Sequence, residues 1–448
     1  MVGKAWISDR EEMLGKEAGR HVQYKIAFGK EELAFQDTKN NVIFYATPQK
    51  PARIPDPVQL IRNSLEHPVG TEKLEDIVSE DDRVALIIDD VTRPTPRKLI
   101  LGQVLERLLA KGVPKKNIKI ILALGTHRPM TQEEISGDLG TLAEEYEIVN
   151  ISFMDKERFV RVGEMPDGTP IHIYRELMES DRIVGIGNIV PHIAAGWGGG
   201  AKIIMPGVCD KVTTEAVHMI SCLEQNVLET CGNTDNKFRR TMEQLAEKVG
   251  LDFIVNTVIN EEKHVLGVFS GHFIAAHREG VEFAKKVLCP TVKERADILI
   301  SSANPAHTDF WQAAKPFVFA HYAVKKGGVL IFVMDAAEGL CGCAPAHEKT
   351  IRRYFNKTEE EVRRAAASGE VDDALGLGEA LIRIQTQGIV DVIVISHGLT
   401  DEDVKLLGFT RADTLEEAMS LARQKMGEDA SVGIIPYGGE MLLRCGEG

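Results

Sequence analysis

Arg83-Val-Ala-Leu-Ile-Ile-Asp-Asp90-Val-Thr-Arg-Pro-Thr-Pro96, followed by an amphipathic pattern from Arg97 to Lys111, decides the class of the fold. The apolar run is continuous rather than alternating, which marks a strand covered on both faces. It ends in two carboxylates and a loop stiffened by Pro94 and Pro96, and a helix follows. Strand, polar loop, helix is the repeating unit of a parallel layer. The unit recurs at Ile118-Lys-Ile-Ile-Leu-Ala-Leu-Gly125, Asp181-Arg-Ile-Val-Gly-Ile-Gly187, Asp297-Ile-Leu-Ile-Ser-Ser302, Gly327-Gly-Val-Leu-Ile-Phe-Val-Met334 and Val390-Asp-Val-Ile-Val-Ile-Ser396, with Lys237 to Val249 as a further crossover helix. The fold class is α/β, with two domains whose largely parallel sheets are covered by helices and whose active site is expected in the cleft between them.

The chain has 448 residues, which at ~150 per domain allows two or three. A composition of 44% hydrophobic and 27% charged residues is that of an ordinary globular chain. A formal charge of −14 argues against nucleic acid, whose binding needs cations to replace counterions. No apolar run is long enough to span a bilayer, and Met1-Val-Gly-Lys-Ala-Trp-Ile-Ser-Asp-Arg-Glu-Glu12 lacks the pattern of a secretion signal, so a soluble, cytoplasmic chain is expected. Seven scattered cysteines are no disulfide framework, and Cys341-Gly-Cys343 reads as a turn. The expected domains are 1–275 and 290–425, with 426–448 a tail returning to one of them, for preference the N-terminal one. The first forty-five residues read as a β-hairpin on the first domain, turning at Asn40-Asn41.

Ligands of open parallel sheets bind beyond the carboxyl ends of the strands, so function is sought there. The segments found are Asp89 to Pro96, Gly125-Thr-His-Arg-Pro-Met-Thr131, Asn188-Ile-Val-Pro-His192 running on to Lys202, and Ser302 to Lys315. One histidine after a strand is usually a hydrogen-bonded loop residue. His127 and His192, on two strand ends and each beside a proline, are harder to dismiss. Gly196-Trp-Gly-Gly-Gly-Ala-Lys202 lacks the Ser or Thr of a Walker A loop, and Gly185-Ile-Gly187 lacks the third glycine of a dinucleotide fingerprint. Its glycines let the backbone approach a planar or anionic group, and Lys202 is a charge partner or a covalent anchor. His218 lies in a helix expected to be capped by Thr213 or Thr214. As a metal ligand it would need its partners from a cofactor.

Together these segments resemble the nickel-dependent lactate racemase family over nearly the whole chain. The resemblance rests on Asp89-Asp-Val-Thr-Arg-Pro-Thr-Pro96, Gly125 to Thr131, Pro191-His-Ile-Ala-Ala-Gly-Trp-Gly-Gly-Gly-Ala-Lys-Ile-Ile-Met-Pro-Gly207, His218 and Asn304-Pro through Phe310-Trp-Gln-Ala-Ala-Lys315. The spacing of His192, Lys202 and His218 is its most specific part. The resemblance implies a nickel-pincer nucleotide, a doubly thiolated pyridinium mononucleotide joined to Lys202, with His218 completing the nickel's ligands. It implies His127 and His192 as an alternating acid/base pair, and Arg93, Gln312, Lys315 and Trp311 as contacts of a 2-hydroxy acid. Asp90, Thr92, Thr95, Gly199 and Gly200 are the further cofactor positions, and cofactor-biosynthesis enzymes are the implied partners. The sequence departs from the family at Trp197 and Gly198, where tyrosine and serine are common, and at Trp311, where tyrosine is usual. Two other readings are a nicotinamide-type hydroxy-acid dehydrogenase and a non-catalytic binding protein of the same fold.

Overall fold

The structure, a computed structural model, describes residues 22–48, 53–165, 168–224 and 226–446. The reading of Met1 to Glu12 lies outside them. The strands used below are β1 (Gln23–Phe28), β2 (Glu31–Gln36), β3 (Val42–Tyr45), β4 (Val84–Asp89), β5 (Ile118–Ala123), β6 (Glu147–Val149), β7 (Arg182–Asn188), β8 (Phe253–Ile259), β9 (Val265–Gly271), β10 (Ala296–Ser302), β11 (Val324–Val333), β12 (Asp391–Ile395), β13 (Thr410–Arg411) and β14 (Val432–Ile435).

The chain forms two compact units. One is built from Pro51–Ser221 and Asn233–Ala284, the other from Met1–Lys50, Cys222–Gly232 and Lys285–Gly448. The sheet of the first unit has the order β9-β8-β7-β4-β5-β6. All its neighbours run parallel except β8 and the edge strand β9. The continuous apolar run of β4 follows from this: Ala85 and Ile87 enter one core, and Val84, Leu86 and Ile88 enter the other. The helix Arg97–Lys111 covers the second face with Ile100, Leu101, Val104, Leu105 and Leu108, and stops at Gly112, whose φ of 101° suits glycine. The helix Lys237–Val249 covers the first face with Phe238, Met242, Leu245, Ala246 and Val249.

The sheet of the second unit is wholly parallel, in the order β13-β12-β11-β10-β14-β3. Two expectations are corrected here. The tail stays in this unit: β14 pairs with β10 on one side and β3 on the other. The N-terminal strands also belong to this unit, where Tyr24, Ile26, Phe28, Phe35 and Val42 join the core formed with Ile298, Ile300, Ile331 and Ile434. The physical reason is the unpaired edge that β10 presents without β14, and β14 without β3. The hairpin turns at Gly29-Lys30 rather than at Asn40-Asn41. Asn304 holds Gly29 through both its N–H (3.0 Å) and its carbonyl (2.7 Å). Asn40, at φ 55°, lies in the later connection, where the Asp37 carboxylate accepts the N–H groups of Lys39, Asn41 and Val42. Among the described residues, no helix is long and apolar enough to cross a membrane.

Gly433 is where β14 lets Phe44 of β3 pass, since a Cβ there would meet the ring at 2.2 Å. Gly433→Val is therefore expected to destabilise the second unit by about 1–3 kcal/mol through overpacking. A lowered denaturant midpoint against Gly102→Val, at an ordinary helix position with open space around it, checks this.

Candidate functional site

In the first unit the connections run from β4 to β5 in one direction, while β7 and β8 are laid down on the other side of β4. The carboxyl ends of β4 and β7 therefore flank the point where the winding reverses, the preferred ligand crevice of an open α/β sheet. Ile88 pairs with Ile186, and Asp89 with Ala123, so the segments after β4, β5 and β7 leave side by side.

The β4 loop is organised by a residue that the sequence reading passed over. Arg97 is buried at 5% exposure. It donates to both oxygens of Asp138 (2.5 and 2.9 Å), to Asp89 (3.1 Å) and to the carbonyls of Asp90 (2.8 Å) and Arg93 (3.1 Å). Thr95 donates to the other oxygen of Asp89 at 2.6 Å. Burial still dominates at Asp89 and pushes it up to about 6. Asp90 behaves oppositely. Burial alone would raise it, but the His127 imidazole beside it and hydrogen bonds from His127 and Thr92 outweigh that, and the carboxyl lies well below the usual range. Thr92 donates to Asp90 through its N–H (3.0 Å) and its hydroxyl (2.5 Å). The protons of both threonine hydroxyls are thus given to carboxylates.

His127 follows β5, with its Nδ1 2.6 Å from Asp90 Oδ2. Beside a carboxylate this nitrogen carries the proton, which puts the lone pair of the neutral ring on Nε2. His192 is the opposite case: its Nδ1 faces the N–H groups of Ala194 and Ala195, both at 3.2 Å, so its neutral ring holds the proton on Nε2. Lys202 is half-buried in the turn Gly200–Ile203, and its N–H bonds the carbonyl of Gly199 at 3.3 Å. Gly199 and Gly200 have φ of 75° and 60°, and their missing Cβ atoms face Asn256 and His277 of the protein. The close approach expected at these glycines is made by the chain's own side chains. Trp197 is fully buried.

The helix Lys211–Glu224 is capped by Asp210, which accepts the N–H of Thr213 at 2.9 Å; Thr213 and Thr214 lie within it. His218 Nδ1 bonds the carbonyl of Thr214 at 2.7 Å, and its ring meets Phe238 edge-on at 5.2 Å. A backbone acceptor on Nδ1 fixes the tautomer that offers Nε2 to a metal, the usual support of a ligating histidine. Among the described residues, no three His, Cys, Asp or Glu side chains gather as a metal site. Asn188 was read only as the start of a loop. It is 5% exposed, its side-chain Nδ2 has no hydrogen-bond partner, and it lies two residues beyond Ile186, the register partner of Ile88. A buried donor at the last position of a strand was its only signal.

The remaining site residues of the sequence reading form a group of their own in the second unit, on the helix Phe310–Ala320. Asp309 caps this helix, accepting the N–H of Gln312 at 2.9 Å and that of Cys343 at 2.8 Å. Lys315 donates to Gln312 Oε1 at 2.9 Å, and Gln312 Nε2 reaches Cys343 Sγ at 3.6 Å. Burial pushes Cys343 up to about 12 and Glu379 up to about 8, the latter against the pull of Lys315. Trp311 stacks on His347 at 4.6 Å and 9°, and His347 is held by Asp373 at 2.7 Å.

Comparison with known proteins agrees over both units. Residues 28–232 match the lactate racemase N-terminal domain and residues 291–443 the lactate racemase C-terminal domain. The chain is 29% identical to the lactate racemase of Thermoanaerobacterium thermosaccharolyticum over 391 residues, covering 86% of this chain and 90% of that one. It is 28% identical to the lactate racemase of Lactiplantibacillus plantarum over 388 residues, covering 86% and 91%. The solved structure of the Thermoanaerobacterium lactate racemase apoprotein superposes with a TM-score of 0.84 at 27% identity, covering 94% of this chain and 100% of that one. With domain matches of this extent on both units, the chain belongs to the lactate racemase family.

Proposed function

We propose that this protein inverts C2 of lactate or a related 2-hydroxy acid through a planar 2-oxo acid. The observation that carries the reading is the Asp90–His127 pair at the winding reversal, a base already oriented for a hydroxyl proton. Taking the C2 hydrogen as a proton would set a second negative charge beside the carboxylate. Taking it with its electron pair avoids that dianion.

The residues fit a nickel-pincer nucleotide: Lys202 supplies an amine on a glycine turn, and His218 supplies one imidazole nitrogen of a kind nickel accepts. When bound, that group supplies the hydride acceptor that no side chain provides. The chain's own residues handle the acid and its proton. Arg93 offers a planar guanidinium to the carboxylate, and Gln312 and Lys315 take the contacts that the family motif assigns them. His127 accepts the hydroxyl proton at Nε2, and His192 presents an N–H. The resting pair thus holds one acceptor and one donor before substrate arrives.

The reading is tested on protein made alongside cofactor-synthesis enzymes. A nucleotide-sized adduct on the Lys202 peptide, one nickel per chain and loss of optical activity from a D-2-hydroxy acid support it. Bound NAD without an adduct would sink it. His127→Asn and His192→Asn are each expected to lower racemisation by about 10² to 10⁴ while nickel content holds, the range of one positioned acid or base.

Asp90 also makes stability depend on pH. Its carboxyl is lowered in the folded state, so the stability it contributes is complete above about pH 4, the unfolded value, and is lost as pH falls through the folded one. Asp90→Asn is expected to cost roughly 1.5–3 kcal/mol at pH 7, the worth of hydrogen bonds to a charge. Urea midpoints of variant and parent should converge as pH is lowered below about 4.

A further inference from the structure

The loop that carries His192 and Lys202 is built around a second buried cation. Arg239 has no exposed surface. It donates from Nε to the carbonyl of Ala195 at 3.1 Å, from Nη1 to that of Gly199 at 3.2 Å, and from Nη2 to that of Trp197. His277 takes a further carbonyl of the series, donating from Nε2 to Gly198 at 2.8 Å. Arg278 donates to His277 Nδ1 at 2.9 Å and is held by Glu243, so the tautomer that serves Gly198 is fixed. Asn256 accepts the N–H of Gly200 at 2.7 Å. Four carbonyls of one short loop are therefore turned onto buried donors. The loop ends are tied to the same points. Ala195 gives its N–H to His192 and its carbonyl to Arg239, while the Gly199 carbonyl accepts both Arg239 and the N–H of Lys202.

Burying a guanidinium costs several kcal/mol, and an apolar residue would fill the space at less cost. Burial pulls Arg239 down to about 9 despite Glu243. Stability of the core alone does not account for an arginine here. A rigid fork that spans alternate carbonyls does, and a lysine, a single point charge, cannot replace it. The preceding residue, Phe238, touches the His218 ring. The first turn of the helix Lys237–Val249 thus holds all three elements at once.

We propose that Arg239, with His277, is the positioning device of this site: it fixes the Ala195–Gly200 backbone so that His192 and Lys202 stand at set places relative to His218. The importance of Lys202 rests on the function proposed above, but the rigidity of the loop does not. The test uses the full chain without cofactor, and compares Arg239→Lys, His277→Leu and His277→Gln by hydrogen exchange and by labelling with a water-soluble amine acylating reagent. Arg239→Lys and His277→Leu are expected to speed amide exchange across residues 193–204 by about tenfold or more, with the strands Val84–Asp89 and Phe253–Ile259 unchanged. Acylation of Lys202 should rise several-fold relative to the exposed Lys116. His277→Gln, which keeps a donor for Gly198, should stay near the parent. After loading, Arg239→Lys should lower kcat about tenfold with KM within about twofold, a loss confined to the reacting geometry. Parental exchange over 193–204 in folded Arg239→Lys would overturn the proposal. So would failure of both Arg239→Lys and His277→Leu to fold, because the pair would then be holding the domain and not the loop. Neither result would bear on whether Lys202 carries an adduct.

Discussion

A parallel strand covered on both faces has little left for chemistry except its carboxyl end, and that constraint arranges this protein. β4 spends Val84 through Ile88 on two cores, so its first polar residues are Asp89 and Asp90 at the tip. Because β5 and β7 lie on either side of it, their tips deliver His127 and the Asn188–His192 segment to the same edge. The side chains need no long-range device to meet. Parallel register and winding order bring Asp90 to within 2.6 Å of His127, thirty-seven residues further along the chain.

What the sheet does not supply is rigidity beyond its edge. Loops there leave carbonyls unpaired, and the protein answers with buried guanidinium groups. Arg97 gathers the β4 loop, binding two carbonyls and two carboxylates. Arg239 gathers the glycine loop, with three carbonyls and no carboxylate among its hydrogen bonds. The contrast follows from charge. Asp138 and Asp89 balance Arg97 within hydrogen-bond distance, whereas Arg239 has Glu243 only as a charge nearby, and its affinity for the proton falls accordingly.

The central strands β4, β5, β7, β10, β11 and β12 were legible because continuous apolar runs have one stable outcome at this length. The helices Arg97–Lys111 and Lys237–Val249 were legible from spacing alone. The placement of the N-terminal hairpin and the tail was not. Val42–Tyr45 and Val432–Ile435 are short strands that fit either sheet, and only the edge left by β10 decides between them. In the site, His127, His192, Lys202 and His218 stood out because each breaks the pattern of its own segment. Arg97, Arg239 and His277 sit at ordinary helix positions. Each binds backbone carbonyls, which carry no side-chain signature in a sequence.

The second unit shows how burial sets charge around Lys315, a residue proposed to hold the substrate. Lys315 is close enough to the Glu379 carboxyl to pull on its proton, and an ionised Glu379 would offset the charge of Lys315. Asp309 is committed as a helix cap, with two backbone N–H groups to satisfy it. Glu379 has burial as its largest influence, and at about 8 it is mostly protonated at neutral pH. The group around Lys315 therefore keeps more positive character than a count of acidic residues suggests. That is the electrostatic condition under which a lysine hydrogen-bonded to Gln312 attracts a carboxylate, and it comes from the depth of Glu379 and not from any added cation.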